Sequence, residues 1–448
     1  MNTPIFNFVT EYIQSKYSMF HMPGHKGENI LGLEQRDITE IKGADDLYHA
    51  TGIILESENN ATNIFGTKHT FYATNGSTQC VKAMLYLAYI NRKSNTKTII
   101  SARNVHKSFV YACATLDIDV DWIYPKETEN LCSCEVTPKQ LEEKITNAKE
   151  KPFAVYVTSP DYLGSVQDIK GLSVVCKKYD VCLLVDNAHG AYLKFLDTPT
   201  HPIDLGADIC CDSAHKTLPV LTGGAYLHIS NNTNNNYELN ARKALAMFGT
   251  SSPSYLVLQS LDLCNIYLEN DYKSKLNSVI KTKNSIVKSL QNKGVVFKDS
   301  EPLKIVIDAL AIGCSGEDLA DYLRTYKIEC EFCDSSYVVL MYSVSTKIDD
   351  FKKLEDALRK IRIKRPIFSN LFVIKNEKAT SIREAVFSQT ELISVEKANG
   401  RICSSVDCLC PPAIPIVVSG EKIDNETIKI LKKYGIKHIE VIKWTTNK

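Results

Sequence analysis

The sequence lacks the features typical of membrane-spanning, secreted or nucleic-acid-binding chains. Lys and Arg number 53 against 52 Asp and Glu, so no basic surplus indicates nucleic acid binding. No apolar run approaches the roughly 20 residues that a membrane-spanning helix needs. Residues 1–20 contain no basic stretch followed by an apolar one, so a signal peptide is not predicted. We therefore expect a cytoplasmic protein that binds neither nucleic acid nor membrane.

Cysteine is abundant, but its spacing gives little support for disulfides or a structural metal. The 15 cysteines are odd in number, and several fall in apolar segments where a reduced thiol behaves as a small hydrophobe. Three pairs are close in sequence: Cys132/Cys134, Cys330/Cys333 and Cys408/Cys410. Only the middle pair has CxxC spacing, and no second CxxC or paired histidines accompany it. Buried, reduced thiols are the expected state.

Residues 70–230 alternate between strand-like apolar runs and longer helical segments, which predicts a largely parallel sheet covered by helices. Ligands bind such sheets beyond the carboxyl ends of the strands. The predicted strands are Thr98–Ala102, Phe153–Ser159, Val181–Asp186, Asp208–Ser213 and Ala225–Ile229. The predicted helices are Ser77–Arg92, Thr137–Ala148 and Ile169–Tyr179, followed by one long helical region from Pro253 to about Asn292.

Reactive side chains lie at the carboxyl ends of two of these strands. Asp186 ends one strand, and Lys216 follows the next within Ser213–Lys216. A lysine can form a Schiff base with the aldehyde of pyridoxal phosphate, while a carboxylate keeps the pyridine nitrogen protonated. Aspartates also end many strands as turn caps, and most lysines are solvated. The two residues together nevertheless favour a pyridoxal-phosphate enzyme.

Two further segments fit that chemistry. Asn75-Gly76-Ser77-Thr78 precedes an amphipathic helix, where it serves either as an ordinary N-cap or as a phosphate site favoured by free N–H groups. His106 follows the strand Thr98–Ala102, which suits a ring lying on one face of the cofactor. Each signal is weak alone and gains weight beside Lys216 and Asp186.

Taken in order along the chain, these and other motifs resemble the Orn/Lys/Arg decarboxylase family of fold-type I pyridoxal-phosphate enzymes. The matching motifs are FHMPGHKG (20–27), the segment 37–78, RNVHKSF (103–109), SPDYLG (159–164), VDNAHGAYL (185–193), DSAHKTLPVLTGGAYLH (212–228), TSSPSYL (250–256) and CPPAIPIVVSGE (410–421). The resemblance implies an α/β, aspartate-aminotransferase-like large domain with a mainly parallel seven-stranded sheet, plus smaller α+β C-terminal domains.

The resemblance also implies roles for individual residues. Lys216 would be the Schiff-base lysine, Asp186 the pyridinium partner and His106 the ring-stacking histidine. The residues expected to contact the cofactor otherwise, mostly its phosphate, are Gly76, Ser77, Thr78, Ala188, His189, Ser213 and His215. A homodimer or larger homo-oligomer with composite sites is implied, in which Ser251 and Ser252 reach the neighbour's phosphate. Glu421 is the expected partner of a cationic substrate, although an exposed loop glutamate is nearly as good an interpretation.

The implied activity is decarboxylation of arginine, lysine or ornithine to a polyamine-pathway amine, with arginine favoured. The expected domains are an N-terminal arm (1–36), a large cofactor-binding domain with a connecting helix (37–293), a small α+β domain (294–375) and a C-terminal decarboxylase segment (376–448). Because FHMPGHKG begins at residue 20, we expect the short form of the family, without an N-terminal wing domain.

Several positions depart from the family pattern, and three other functions stay open. Asn187 stands where glutamate is usual, Asp161 where threonine is usual, and Gly223-Gly224 replaces a more polar pair, while Cys410 and Ala413 alter YPPGIP. The departures at Asn187 and Asp161 motivate a non-catalytic regulatory homologue. An aminotransferase or other fold-type I lyase would share Lys216 and Asp186. A metal hydrolase using Asp186, His189 and His215 would leave Lys216 unexplained.

Overall fold

The computed structural model of the chain describes residues 1–125, 131–368, 375–405 and 414–443. The chain divides into two compact units. The first comprises Met1–Asn91, Cys182–Thr282 and Tyr342–Thr346, and the second comprises Arg92–Val181, Lys283–Met341 and Lys347–Lys448. The domain boundaries expected from the sequence remain predictions. No helix among the described residues is both long and apolar enough to cross a membrane.

Helices and strands alternate through the described residues. The strands are β1 His69–Ala73, β2 Thr98–Ala102, β3 Asp119–Ile123, β4 Ala154–Thr158, β5 Cys182–Asp186, β6 Ile209–Asp212, β7 Ala225–Ile229, β8 Phe297–Lys298, β9 Lys304–Asp308, β10 Phe332–Cys333, β11 Tyr337–Met341, β12 Thr390–Ser394 and β13 His438–Ile442. The α-helices are α1 Pro4–Gln14, α2 Ile53–Phe65, α3 Gly76–Ile90, α4 Lys107–Leu116, α5 Pro138–Thr146, α6 Ile169–Lys178, α7 Ala214–Thr217, α8 Asn235–Phe248, α9 Tyr255–Glu269, α10 Tyr272–Gln291, α11 Gly316–Thr325, α12 Ile348–Lys360, α13 Ile382–Phe387 and α14 Asn425–Lys433.

The central sheet confirms the predicted fold class. Its seven strands have the order β1-β7-β6-β5-β4-β2-β3. The pairs β5–β6, β2–β4 and β2–β3 are parallel. A second sheet, β10-β11-β9-β8, is antiparallel, as is the pair β12–β13, so the remaining elements have the expected α+β character.

Strand β7 departs from the parallel pattern that the alternation of strands and helices predicted. It runs antiparallel to both β6 and β1. The only helix between β6 and β7 is α7, which spans four residues. Because four helical residues rise only about 6 Å, this helix cannot carry the chain back along a strand roughly 15 Å long. The chain therefore turns and enters β7 from the same edge.

The predicted long helix after Pro253 is two helices in the structure. Helix α9 ends at Glu269 and α10 begins at Tyr272, with Asn270 and Asp271 between them. Asn and Asp side chains compete for backbone hydrogen bonds, so they favour helix ends over helix interiors. Strands β1 and β3 were not predicted, because β1 mixes polar with apolar residues and β3 alternates acidic with apolar ones.

Helix α9 also supplies the missing N-terminal cap of α1. The side chain of Thr3, the N-cap residue of α1, accepts no hydrogen bond from the helix. Instead Asp262 in α9 accepts one from the Phe6 N–H at 2.9 Å, and a second from Ser57 Oγ at 2.6 Å. Burial raises the pKa of Asp262 to about 6, although both hydrogen bonds lower it.

The raised pKa of Asp262 predicts how the stability of the protein depends on pH. Since the folded state holds the proton on Asp262 more tightly than the unfolded chain does, this contribution to stability is present at low pH and lost as pH rises through about 6. Between pH 7 and pH 5 the wild-type protein should gain about 1 kcal/mol in unfolding free energy relative to Asp262→Asn. Urea unfolding at both values measures this difference. Asp271→Asn, an exposed aspartate near the end of α9, is the control and should show no differential gain.

Candidate active site

Strands β5 and β6 bring the predicted aspartate and lysine to one edge of the sheet. The parallel register pairs Val185 with Cys210 and Asp186 with Cys211, so both strands end at the same level. Asp186 is 3% exposed. Its Oδ1 accepts hydrogen bonds from the Ala188 N–H at 3.1 Å and the Cys211 thiol at 3.8 Å. The carboxylate is thus fixed in place and largely shielded from water.

Lys216 lies in α7, directly beyond β6, and its amine contacts a buried histidine. Lys216 Nζ lies 3.0 Å from His189 Nε2, and His189 is 4% exposed. An ammonium has only donors, so it donates to this Nε2, which must then carry a lone pair. His189 is accordingly positioned to take a proton from Lys216, which the lysine has to lose before it can attack a carbonyl.

The N-terminus of α3 is open to an anion. Helix α3 begins at Gly76, and its N-cap residue Asn75 makes no side-chain cap. Asn75 Oδ1 instead accepts from the Thr250 N–H at 3.1 Å. Ser77 and Thr78 lie inside the first turn, so the ordinary interpretation of these hydroxyls as N-caps is wrong. Ser213 Oγ donates to Ser77 Oγ at 2.8 Å, which joins α3 to the segment carrying Lys216.

The backbone at Gly223 explains why this position, where the family usually has a more polar residue, is a glycine here. Its φ is +99°, and a Cβ there would lie 2.8 Å from the Thr74 carbonyl oxygen. The Gly223 carbonyl accepts from the Gly76 N–H at 2.7 Å, and His215 Nδ1 lies 3.0 Å from the Gly224 oxygen. Gly223 therefore holds the loop before β7 against the start of α3, and Gly224 holds it against His215 in α7. Ser252 is exposed, and its N–H donates to Thr250 Oγ1.

These residues fit pyridoxal phosphate. The uncapped N–H groups of α3 suit a phosphate, and Lys216 and Asp186 suit an aldehyde and a pyridine nitrogen. Within the described residues, the buried side-chain oxygens of Thr74 and Thr217 also make no hydrogen bond. Thr74 precedes the α3 start by two residues, and Thr217 follows Lys216. Polar atoms left open at these two positions are consistent with a polar ligand.

His106 and Glu421 lie in the second unit. His106 is half-buried at the N-terminus of α4, where its Nδ1 accepts from the Ser108 N–H at 3.2 Å. Its ring is thus oriented by the turn that begins α4. The role assigned to it by resemblance remains a prediction.

Glu421 is a buried ion-pair partner, so its interpretation as an exposed loop glutamate is wrong. It is 4% exposed, and its two oxygens lie 2.6 and 2.7 Å from the guanidinium nitrogens of Arg103, which is fully buried. Glu421 Oε2 also accepts from the Val418 N–H at 2.8 Å and Asn376 Nδ2 at 3.1 Å. Both oxygens are engaged, and a role in substrate binding stays a prediction.

Arg103 was not singled out from the sequence, although it begins the motif RNVHKSF. Its guanidinium carbon lies 4.9 Å from the Trp122 ring centre and 5.2 Å from that of Tyr124. Its Nε donates to the Pro415 carbonyl at 3.3 Å. The ion pair therefore joins the end of β2 to segment 414–421. Nothing in the local pattern of RNVHKSF points to a partner more than 300 residues away.

The departure at Asp161 also has a structural explanation. Asp161 is buried, and its Oδ1 accepts from the Ser165 N–H at 2.9 Å within its own turn. Burial raises the pKa of Asp161, while the nearby Lys304 acts in the opposite direction. The fully buried Lys304 donates to the Asp161 carbonyl at 2.6 Å. Asp161 therefore stabilises a turn. The departures at Cys410 and Ala413, and the pair Cys408/Cys410, lie outside the described residues.

None of the thirteen cysteines in the described residues forms a disulfide. Those near the site are buried: burial, together with Asp186 and Asp212, raises the pKa of the Cys211 thiol well above its usual value. Such thiols stay protonated and act as packing groups and weak donors.

The fold, with a lysine and an aspartate beyond adjacent parallel strands, is that of fold-type I pyridoxal-phosphate-dependent enzymes. Comparison with known proteins makes the assignment specific. Residues 3–311 match the Orn/Lys/Arg decarboxylase major domain, and residues 361–438 match the C-terminal domain of the same family. The chain belongs to the Orn/Lys/Arg decarboxylase family. This membership confirms the predicted family, cofactor and enzyme class, a pyridoxal-phosphate-dependent decarboxylase.

Relatives match over almost the whole chain. Arginine decarboxylase of Bacillus subtilis is 28% identical over 468 residues, covering 96% of this chain and 93% of that protein. Arginine decarboxylase of Bacillus anthracis is 26% identical, covering 96% and 92%. Among solved structures, the constitutive lysine decarboxylase of E. coli has a TM-score of 0.78 at 18% identity, covering 99% of this chain and 82% of that chain. A NifS-like protein has the same fold over 71% of this chain, with a TM-score of 0.55.

The Arg103–Glu421 pair yields a prediction that separates a structural role from a substrate role. Glu421→Gln leaves the buried Arg103 guanidinium without its counter-charge, which should lower the unfolding free energy by about 3–5 kcal/mol. Urea unfolding measures this loss. Glu143→Gln, which breaks the exposed Lys139–Glu143 pair, should change stability by less than about 0.5 kcal/mol. Unchanged stability in Glu421→Gln with a raised KM would instead indicate direct substrate contact.

Proposed function

We propose that this protein decarboxylates a basic L-amino acid, and that the substrate is arginine. The observation that carries the proposal is the Lys216–His189 contact beside a buried Asp186, within a chain of the Orn/Lys/Arg decarboxylase family. Relatives that match over nearly their full length are named arginine decarboxylase, which favours arginine over lysine and ornithine.

Each site residue has a proposed task. Lys216 would hold the cofactor through its aldehyde, and His189 Nε2, 3.0 Å from the Lys216 amine, would accept the proton that this amine has to lose. Asp186 keeps the pyridine nitrogen protonated, and Ala188 orients that carboxylate through its N–H. The bound cofactor supplies the electron sink into which the electrons of the broken Cα–carboxylate bond flow. The protein supplies orientation and a water-poor environment.

The phosphate end is assigned to the start of α3 and the segment after β6. Ser77 and Thr78 offer backbone N–H groups and hydroxyls, Gly76 leaves room beside them because it has no side chain, and Ser213 adds a hydroxyl already joined to Ser77. His215 donates its Nδ1 proton to the Gly224 carbonyl, which leaves its Nε2 with a lone pair in the neutral form. Contact with an anion would therefore require His215 to be protonated.

The proposal includes a homodimer or larger homo-oligomer with composite sites. Ser252 is exposed in the single chain. It lies two residues after Thr250, whose N–H donates to Asn75 Oδ1 at the start of α3. We place Ser252 at the phosphate of a second copy, and His106 on one face of the cofactor ring. Both assignments follow from the family resemblance and can be tested by substituting Ser252 and His106.

Carbon dioxide release from purified protein with pyridoxal phosphate, offered arginine, lysine and ornithine separately, tests the proposed reaction. We expect release from arginine and at least tenfold less from the other two, because a planar guanidinium and a compact ammonium need different partners. Amino transfer to a keto acid without carbon dioxide release would indicate an aminotransferase. Cofactor binding without either reaction would indicate a non-catalytic homologue.

Lys216→Ala is the matching test of the site. Loss of the proposed covalent anchor for the cofactor should abolish the cofactor absorbance of the lysine-linked form and reduce carbon dioxide release to below about a thousandth of the wild-type rate. Lys139→Ala, at an exposed lysine, should change neither. Retention of both the absorbance and the activity in Lys216→Ala would contradict the assignment of Lys216.

A further inference from the structure

Behind the strand ends that carry Asp186 and Lys216 lies a fully buried polar cluster that the proposed reaction does not use. It consists of Asn187, His201, Asp212 and His228, none of which is exposed to solvent. Asp212 is its centre. Asp212 Oδ1 accepts from Asn187 Nδ2 at 2.7 Å, and Oδ2 lies 3.0 Å from His201 Nε2 and 3.1 Å from His228 Nε2.

The neighbours of the two imidazoles decide where their protons lie. The Ile203 N–H donates to His201 Nδ1 at 3.4 Å, so the single proton of a neutral His201 is on Nε2, facing Asp212. His228 Nδ1 lies 2.9 Å from the Thr70 hydroxyl, which can donate to it, and burial lowers the pKa of His228. Both imidazoles are therefore neutral donors to Asp212.

Asp212 is thus an ionised carboxylate with three neutral donors. Three N–H groups donate to its two oxygens, and hydrogen bonds to a buried carboxylate favour its ionised form. Since no donor in the cluster carries a charge, the cluster bears one net negative charge inside the protein. A buried charge acts over several ångströms, because little solvent screens it.

A metal site is the competing interpretation of the same residues. One ligand atom each from His201, Cys210, Asp212 and His228 lies within 4.8 Å of the others, a spacing that a metal ion could bridge. Metal binding would require both Nε2 atoms to lose their protons. The proton of His201 would then move to Nδ1, directly against the Ile203 N–H. The hydrogen bonds therefore favour a metal-free anion.

The anion is joined to both strands of the cofactor site. Asn187 directly follows Asp186 at the end of β5, and Asp212 directly precedes Ser213 at the end of β6. The Asn187–Asp212 hydrogen bond, together with the Asn187 N–H to the Cys211 carbonyl at 3.0 Å, fixes these two ends against each other. Asn187 replaces the usual glutamate of the family, so the residue next to Asp186 is neutral, and the carboxylate of the Asn187–Asp212 pair lies on β6.

We propose that Asp212 is a positioning residue of the cofactor site, a second buried anion that acts through Asn187 and Asp186 to favour the protonated form of the lysine-linked cofactor. This inference rests on the proposed cofactor role of Lys216 and Asp186. Asn187 serves as the neutral group that keeps the charge on β6 without placing a second carboxylate beside Asp186.

Two substitutions separate the charge from the hydrogen bonds. In Asp212→Asn the amide can keep every hydrogen bond if the Asn187 amide turns over, because Asn187 Oδ1 makes no hydrogen bond within the described residues. The charge alone is then removed. In the exchange variant Asn187→Asp/Asp212→Asn, the amide introduced at position 212 donates to the carboxylate introduced at position 187. Its oxygen still accepts from His201 and His228. Every hydrogen bond is retained, but the charge moves beside Asp186.

The measurement is the absorbance of the lysine-linked cofactor as a function of pH, with the melting temperature of each cofactor-free protein as a second readout. We expect the pH of cofactor deprotonation to fall by about 1 unit in Asp212→Asn, since a nearby buried anion no longer stabilises the cation. It should rise by about 0.5 unit in the exchange variant. Asp197→Asn, at an aspartate that is 76% exposed, is the control and should leave the transition unchanged.

The outcomes distinguish this inference from the proposed function. A wild-type protein that shows no cofactor absorbance would contradict the proposed function itself. A normal wild-type transition that Asp212→Asn leaves unshifted would overturn the role of Asp212. If Asp212→Asn does not fold, Asp212→Ser takes its place, because it also removes the charge, and an unshifted transition in the folded Asp212→Ser protein would overturn the role. Stoichiometric zinc in the purified wild-type protein that is lost in Cys210→Ser would also overturn the inference.

Discussion

The parallel pairing of β5 with β6 is the constraint on which the rest of the site depends. Three register pairs, ending at Asp186 and Cys211, bring a carboxylate and a lysine from distant parts of the sequence to one edge of the sheet. A one-residue shift in this pairing would move Asp186 relative to Lys216 and turn the side chains of the shifted strand to the opposite face of the sheet. The Asn187–Asp212 hydrogen bond lies directly beyond the last pair and opposes such a shift.

Two buried charged arrangements in this protein follow different rules. Arg103 and Glu421 form a matched pair with bidentate geometry, so their charges cancel and the pair mainly fixes one segment against another. Asp212 has only neutral donors, so its charge is not cancelled within its own cluster. A matched pair of charges has little electrostatic effect beyond its immediate neighbours, whereas an unpaired carboxylate shifts the pKa of ionisable groups near it. Function is therefore expected near the second arrangement and stability near the first.

Much of the fold and part of the site could be predicted from local sequence. Apolar runs alternating with helices predicted β2, β4, β5, β6 and β7 to within about one residue at each end, because strands buried on both faces of a sheet are nearly continuous apolar runs. Lys216 and Asp186 could be found because strand ends are where such sheets bind ligands. The direction of β7 could not be found in this way, because it depends on the length of the link formed by α7.

Contacts between distant residues account for most of what sequence reasoning missed. Asp212 and His228 are the first and last residues of the motif DSAHKTLPVLTGGAYLH, yet nothing local shows that His201 and Asn187 converge on the same carboxylate. Arg103 and Glu421 are likewise joined only by folding. Departures such as Asn187 and Gly223 were visible in the sequence, but their meaning required the partner atoms: an aspartate on the next strand and a backbone carbonyl at Thr74.

The stacking of Arg103 on Trp122 has an optical consequence. The chain contains two tryptophans, and the other, Trp444, lies outside the described residues. Trp122 is half-buried, with a guanidinium carbon 4.9 Å from its ring centre and Phe109 at 5.9 Å. A cation held over an indole perturbs its excited state, so the intrinsic fluorescence of Trp122 should report directly on whether Arg103 remains in place. The second unit thereby carries its own spectroscopic probe, independent of any colour from the cofactor.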